Sequence, residues 1–281
     1  MKSHIARNLK TLRVIRENIT NKKLSFVPTM GSLHNGHIKL IKSAIRKSDK
    51  VIVSIFINPK QFDNREDFSS YPSNEKEDIK KLKDLGVDII FIPQEKEIYP
   101  EDFNMQVKIG EYNKILCAAK RKNHFIGVST ILIKLFFLIR PHFTFFGEKD
   151  YQQLVIVKKL VKDFSINTTI IAVKTVRDRN GLALSSRNNL LTSTEYDKAV
   201  NINKVLREGK KYKLSSYKKL ILETENSLRK LGIKKIDYLE IREEKNLRSY
   251  EQFKNQSNTK FRIFIAVYIG RVRLIDNMRI N

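Results

Sequence analysis

The chain has 281 residues, 55 Lys and Arg against 30 Asp and Glu for a formal net charge of +25, and 41% hydrophobic residues. That is one large domain or two ordinary ones with enough apolar residues for a sizeable core, which excludes disordered and collagen-like chains. A single cysteine, Cys117, excludes an internal disulfide and a cysteine-rich metal site.

The first seven residues carry charges with no apolar stretch behind them, so secretion is not expected. The run 24–27 reads as a strand ended by Pro28, and 51–57 as a second strand closed by Asn58-Pro59. Between them Ile38, Ile41, Ala44 and Ile45 recur at helical spacing, which makes a unit the size of a βαβ crossover. Asn74 with Glu77 predicts a helix start, Leu85-Gly86 its end, and 87–92 a strand closed by Pro93. A third unit runs helically over 124–139, breaks at Pro141, and continues as the strand 143–146 into Gly147. The apolar part of that helix, 126–139, is interrupted by Ser129, Thr130 and Lys134 and is too short to span a bilayer, so a soluble, cytoplasmic protein is expected. A helix over 151–164 and a buried strand over 168–173 follow.

Short β-rich runs alternating with helices predict an α/β fold: a Rossmann-like, doubly wound parallel sheet covered on both faces. After about Lys174 the pattern changes. Helices over 194–207 and 216–231, joined by a Gly/Lys/Ser-rich link, precede strands over 236–241, 261–268 and 271–275, and Ile269-Gly270 is a hairpin signal. The expected organisation is a Rossmann-like nucleotide-binding and catalytic domain over 1–174 and a smaller C-terminal α+β domain over 175–281 acting as a lid over the ligand site.

The sharpest motif, Pro28-Thr29-Met30-Gly31-Ser32-Leu33-His34-Asn35-Gly36-His37, lies between the first predicted strand and its helix. In a parallel sheet ligands bind beyond the C-terminal strand ends, where the next helix offers unpaired N–H groups and partial positive charge to a phosphate. Gly31 and Gly36 let the backbone approach closely, and His34 and His37 can direct two imidazoles at one phosphate. Two histidines three apart are, taken alone, more often surface or packing residues. Zinc is disfavoured because no third ligand of suitable type lies nearby. The strand–turn–helix setting favours nucleotide binding.

The His-x-Gly-His motif resembles the nucleotidyltransferase signature of class I aminoacyl-tRNA synthetases and related adenylating enzymes. With it, in order and register, stand Val53-Ser54-Ile55-Phe56-Ile57-Asn58-Pro59-Lys60-Gln61-Phe62, Phe146-Gly147-Glu148-Lys149-Asp150-Tyr151-Gln152-Gln153 and Gly181-Leu182-Ala183-Leu184-Ser185-Ser186-Arg187-Asn188. Together they resemble the pantothenate synthetase (pantoate–β-alanine ligase) family over nearly the whole chain. The resemblance implies a two-step ligation in which ATP and (R)-pantoate give a pantoyl adenylate and pyrophosphate, and β-alanine then displaces AMP.

It implies catalytic roles for His37, as proton or hydrogen-bond donor to the phosphates, with His34 and Lys149. The ATP site would be lined by Met30, Gly31, Ser32, Leu33, His34, Asn35, Gly36, His37, Gly147, Glu148, Lys149, Asp150, Val176, Leu184, Ser185, Ser186 and Arg187. Gln61 and Gln153 would bind pantoate, Gln61 would also reach β-alanine, Asn58 would share that pocket, and Arg121 and His124 would face it. Ser185, Ser186 and Arg187 suit a departing pyrophosphate, and their place at the start of the second domain suggests a lid over ATP. Mg²⁺ would arrive on the ATP phosphates with no dedicated side-chain ligands, Glu77 and Asp78 being read as solvated helix-surface groups. A homodimer is implied, through 107–109 read as a strand or through the apolar helix near Val128. Lys60, Ser73, Lys122, Asn123, Asn180 and Leu184 depart from the family's usual residues.

Two alternatives stand beside this reading. One is adenylation or cytidylylation of another small acid or phosphate ester, against which Gln61 and Gln153 argue. The other is a nucleic-acid-binding protein using the +25 charge. Its lysines are spread along the whole chain and not interleaved with exposed aromatics, and no nucleic-acid-binding motif occurs, so a solvated lysine surface is favoured.

Overall fold

The computed structural model describes residues 3–63, 65–211, 214–252 and 258–281. Met1 and Lys2 of the charged N-terminus, and 212–213 in the Gly/Lys/Ser-rich link, lie outside the described residues.

The chain begins with a strand and a helix that the sequence reading lacked: β1 (His4–Ala6) and α1 (Leu9–Glu17). Three residues are too few to display a period, but Asn8 caps α1 by accepting the Thr11 N–H. The predicted βαβ unit follows as β2 (Leu24–Thr29), α2 (Asn35–Ile45) and β3 (Lys50–Ile55). After α3 (Arg65–Ser69) come α4 (Glu75–Asp84) and β4 (Ile89–Phe91). As expected, Asn74 accepts the Glu77 N–H at the start of α4, and Gly86 takes φ +78° just past its end. Then come α5 (Glu95–Ile98), α6 (Leu116–Lys120), α7 (His124–Ile139), β5 (Phe143–Gly147), α8 (Tyr151–Asp163) and β6 (Thr169–Val173).

Pro28 does not end β2, which runs one residue further, to Thr29. The Thr29 carbonyl accepts Phe56 N–H on the β3 side, so Pro28 faces the β5 side, where the pairing of β2 with β5 covers only Ser25 and Phe26. Its missing N–H therefore interrupts no ladder bond.

Among the described residues the parallel sheet has the order β1-β4-β3-β2-β5-β6. The direction of winding reverses between β2 and β5, which makes the gap beyond their C-terminal ends the topological switch point. Successive side chains go to opposite faces. Phe26, Ile52, Phe91 and Phe146 pack under α1, α7 and α8, whereas Val27, Val53, Ile90 and Phe145 pack under α2 and α4. Both faces are covered, as a parallel sheet requires.

The C-terminal part holds α9 (Ser193–Ala199), α10 (Asn201–Gly209), α11 (Tyr217–Lys230) and an antiparallel sheet of β7 (Lys235–Glu243), β8 (Phe261–Ile269) and β9 (Val272–Arg279). The single helix expected over 194–207 is two. Thr192 and Glu195 form a capping box that starts α9 at Ser193, the helix is interrupted at Val200, and Ala199, Ile202, Val205 and Leu206 share one apolar cluster with β8. The hairpin signal holds: Ile269 pairs with Val272, and Gly270 takes φ +57°.

The segment 107–109, read as a strand, is irregular. Its Val107 N–H donates to Thr130 Oγ1 of α7 at 3.0 Å, so it packs along that helix and pairs with no strand. In the apolar helix read as the other interface, Val128 itself is buried in the core, whereas Phe137 is exposed. No helix among the described residues is long and apolar enough to cross a membrane.

Candidate active site

The His-x-Gly-His motif turns off the C-terminal end of β2 at the switch point, and it caps its own helix. Gly36 N–H donates to His34 Nδ1 at 3.0 Å, and His34 N–H donates to His37 Nδ1 at 3.3 Å. Because both Nδ1 atoms accept, each imidazole carries its proton on Nε2 when neutral, and those N–H groups are left for the cleft. The rings lie 4.1 Å apart. Burial and neighbouring cations hold both neutral: the pKa of His34 falls to about 4 and that of His37 to about 3, burial being the larger cause for each and Lys149 a contributor to both. Of the two roles implied for His37, the arrangement suits a neutral hydrogen-bond donor rather than an imidazolium acid. Gly36 is required because a Cβ there would lie 2.7 Å from His34 Cε1.

The loop before the helix is held by a residue misjudged from sequence. Asp78 is 1% exposed, not solvated. It accepts the N–H groups of Ser32 at 2.7 Å and Leu33 at 2.8 Å, while Lys81 Nζ donates to the Leu33 carbonyl at 2.9 Å. Burial pushes its pKa up, and the two N–H groups oppose the rise. α4 thereby grips the loop from below.

A cleft of about 910 Å³ opens at this point. Met30, His34, Gly36 and His37 border it from one side, Gly147, Lys149 and Asp150 from the end of β5, and Val176, Leu184, Ser185, Ser186 and Arg187 from the segment after β6. Leu184 N–H donates to the Val176 carbonyl, and Arg177 bridges Ala183, so that segment folds back on itself as a short antiparallel arm.

Five residues read as lining the ATP site do not border the cleft. Gly31, Ser32 and Leu33 turn toward Asp78 and the core beneath, Asn35 is exposed on the outer face of the helix start, and the Glu148 carboxylate faces Arg262 at 3.8 Å. The groups read as a pyrophosphate clamp already have partners. Arg187 pairs with Asp67 at 2.7 Å, Ser186 Oγ lies 3.2 Å from Tyr71 OH, and Ser185 Oγ accepts the Arg187 N–H.

The two glutamines read as pantoate-binding, Gln61 and Gln153, border the same cleft. Asn58 Nδ2 donates to the Gly127 carbonyl at 3.2 Å and to Gln61 Oε1 at 3.1 Å, and Tyr99 OH donates to Asn58 Oδ1 at 2.8 Å. A carbonyl can only accept, so this chain orients the Gln61 amide with its NH₂ toward Met30 and the cleft. Gly127 has no room for a side chain, since a Cβ there would overlap the Lys60 carbonyl. Gln153 borders the cleft, whereas its neighbour Gln152 serves the scaffold by accepting the Cys117 N–H and donating to the Ile115 carbonyl. Arg121 pairs with Asp63 at 3.0 Å, and His124 Nδ1 lies 2.8 Å from the Gln61 carbonyl. Lys60 lies against the rings of Tyr99 and Phe103 and does not border the cleft. Asn180 donates to Tyr196 OH at 2.9 Å, an outward contact.

Sequence reading misjudged Asp78 and gave no role to Asp67, Tyr71 or Tyr99. Each resembles an ordinary surface residue until the fold supplies its partner 40 to 120 residues away. Tyr71, directly before Pro72, was the nearest to a readable signal.

A family model described as pantoate-beta-alanine ligase matches residues 4–279. The pantothenate synthetase of Francisella tularensis subsp. novicida (strain U112) is 43% identical over 275 residues, 97% of this chain and 96% of that protein. Among solved structures, the pantoate-beta-alanine ligase of Francisella tularensis complexed with beta-gamma ATP and beta-alanine is 42% identical, with a TM-score of 0.84 over 99% of this chain and 98% of that one. A pantothenate synthetase structure from Thermus thermophilus is 34% identical, with a TM-score of 0.90 over 99% of both chains.

Proposed function

The chain belongs to the pantoate-beta-alanine ligase family, and from that membership we infer that it condenses (R)-pantoate with β-alanine, using ATP and forming pantothenate, AMP and pyrophosphate. The observation that carries the site assignment is the pair of neutral imidazoles whose Nε2–H groups are left for the cleft that Lys149, Gln61 and Gln153 also border.

In the first step a pantoate carboxylate oxygen attacks the α-phosphorus of ATP, the bond to the β-phosphate oxygen breaks, and pyrophosphate leaves. Two anions must meet, so the barrier is lowered mainly by positioning and by neutralising phosphate oxygens. His34 and His37 donate Nε2–H bonds to those oxygens without carrying charge themselves, and Lys149 adds a point charge. Val176 and Leu184 form the adenine end. Arg187 exchanges Asp67 for the departing pyrophosphate, with Ser185 and Ser186 beside it. Gln61 donates from its NH₂ to pantoate, and Gln153 binds the same substrate.

In the second step the neutral amine of β-alanine, near Gln61, attacks the acyl carbon. The C–O bond to AMP breaks and one proton passes to solvent. The arm 175–187 acts as a lid that keeps water from the adenylate. Mg²⁺ enters as part of the MgATP substrate. Asp78, with both oxygens on backbone N–H groups, is a scaffold residue and supplies no metal ligand.

A homodimer in the cytoplasm, where ATP is abundant, completes the proposal, with no role for nucleic acid. Sedimentation equilibrium giving twice the 32.9 kDa chain mass supports the dimer, and a monomer sinks it. For the activity, purified protein with MgATP, pantoate and β-alanine is expected to yield AMP and pantothenate by mass spectrometry only when both acids are present. No product from the folded protein overturns the assignment.

A further inference from the structure

Asp276 and Asn277 are neighbours on β9, in the small antiparallel sheet, and each reaches a different segment of the cleft wall. Both are 4% exposed. Asn277 Nδ2 donates to the carbonyls of Glu148 at 3.0 Å and Lys149 at 2.8 Å, and its Oδ1 accepts from Arg262 Nη1 at 2.5 Å. Carbonyls only accept and a guanidinium only donates, so the amide has one possible orientation and both its ends are engaged. Arg262 is itself fixed: it bonds Glu244 through Nε at 2.9 Å, and its guanidinium lies 3.9 Å from the ring centroid of Tyr151, the first residue after the Lys149 turn. Beside it Asp276 takes a bidentate pair from Arg177 at 2.6 and 2.8 Å, and Arg177 lies near the start of the arm that ends at Ser185–Arg187.

The turn at 148–150 is a single 3₁₀ turn with no side-chain cap of its own. Its backbone carbonyls are anchored from 128 and 129 residues away by one asparagine. We propose that Asn277 is a positioning residue for the ATP half-reaction, setting the aim of Lys149 while Asp276, through Arg177, sets the opposite arm. One strand of the small sheet thus keeps two walls of the phosphate site in register. The proposal rests on the reading of Lys149 as a phosphate-binding residue.

The experiment compares Asn277→Asp and Asn277→Ser with the unaltered chain, each also in a Lys149→Ala background. The aspartate keeps the shape and the Arg262 contact but sets an acceptor against two carbonyls. The serine is neutral and too short to reach both. Each single variant is expected to lose on the order of 10- to 100-fold in kcat/KM for ATP, as misplacement of a catalytic group by about 1 Å does. The KM for β-alanine should stay within about twofold, because Gln61 is positioned by a separate chain of bonds. In the Lys149→Ala background neither substitution should add a loss beyond about twofold, because residues acting through one group are non-additive.

Wild-type rates in a folded variant, or an equal loss in both backgrounds, would overturn the proposal. Failure of both variants to fold would overturn it too, since the contact would then be a folding contact. Lys149→Ala retaining the full rate would instead refute the phosphate-binding reading, a result distinguishable because it does not involve position 277.

Discussion

His34 and His37 do two jobs with two nitrogens each. Their Nδ1 atoms close the first turn of α2, and that bonding leaves both Nε2–H groups for the cleft. His37→Ala should therefore lower kcat by about 10²- to 10³-fold, the usual loss for one donor to a developing oxyanion, and cost about 1 kcal/mol of stability through the lost cap. Steady-state kinetics and urea unfolding separate the two effects; an unchanged kcat refutes the donor role. Since their pKa values lie at about 4 and about 3 in the ligand-free protein, kcat/KM for ATP should show no histidine limb between about pH 5.5 and 8, and a step near 6.5 in kcat/KM would contradict the neutral pair. Asp78 is the corresponding structural case. Asp78→Asn sets an NH₂ against one of the two N–H groups it now accepts, so a loss of about 1–3 kcal/mol is expected by thermal or urea unfolding, with ATP affinity weakened alongside. The histidines were legible because motif and helix start coincide in ten consecutive residues. Asp78 was not, because an aspartate in the first turn of a helix reads as a solvated dipole partner until a loop lands on it.

Elements that announced themselves did so through period and caps. α7 was legible from its apolar run and the Pro141 that ends it, α4 from Asn74, Glu77 and Gly86, and the β8–β9 hairpin from Gly270. β1 was too short for a period, and the interruption at Val200 leaves no mark in a helical pattern that continues through it. Close packing of elements is where the substrate pocket is most sensitive. Gly127 lets α7 touch the 3₁₀ turn Pro59–Gln61 backbone to backbone. Gly127→Ala forces that turn away, so a loss of about 1–3 kcal/mol and a rise in KM for pantoate larger than that for ATP are expected. Equal effects on the two KM values would show that the turn does not position Gln61.

Across the whole molecule three packed imidazoles, His34, His37 and His124, have pKa values of about 4, 3 and 3 against an ordinary 6.5, burial being the first cause in each. Between those values the unfolded chain binds more protons than the folded one, so stability is fully present above about pH 6.5 and is lost as pH falls toward 4. The melting temperature should drop by more than about 5 °C between pH 7 and pH 5, and an unchanged value would mean that these rings are charged or solvated in the fold. The charge of +25 is spread along the chain, and the fold brings some of its cations, among them Arg121, Lys149, Arg187 and Arg273, to the border of the cleft.

What the sequence determined by itself was whatever neighbours along the chain can encode: strands alternating with helices to cover both faces of one sheet, helix caps, and a motif in which His34, Gly36 and His37 act on each other within four residues. Tertiary structure decided which ordinary polar residues matter. Asp78 under the loop, Asp67 on Arg187, Tyr99 on Asn58 and Asn277 on the Lys149 turn are each one side chain among many of their type. For the buried ones, Asp78, Tyr99 and Asn277, exclusion of competing water strengthens these bonds, and for all four it is the fold that chooses which distant group each one meets.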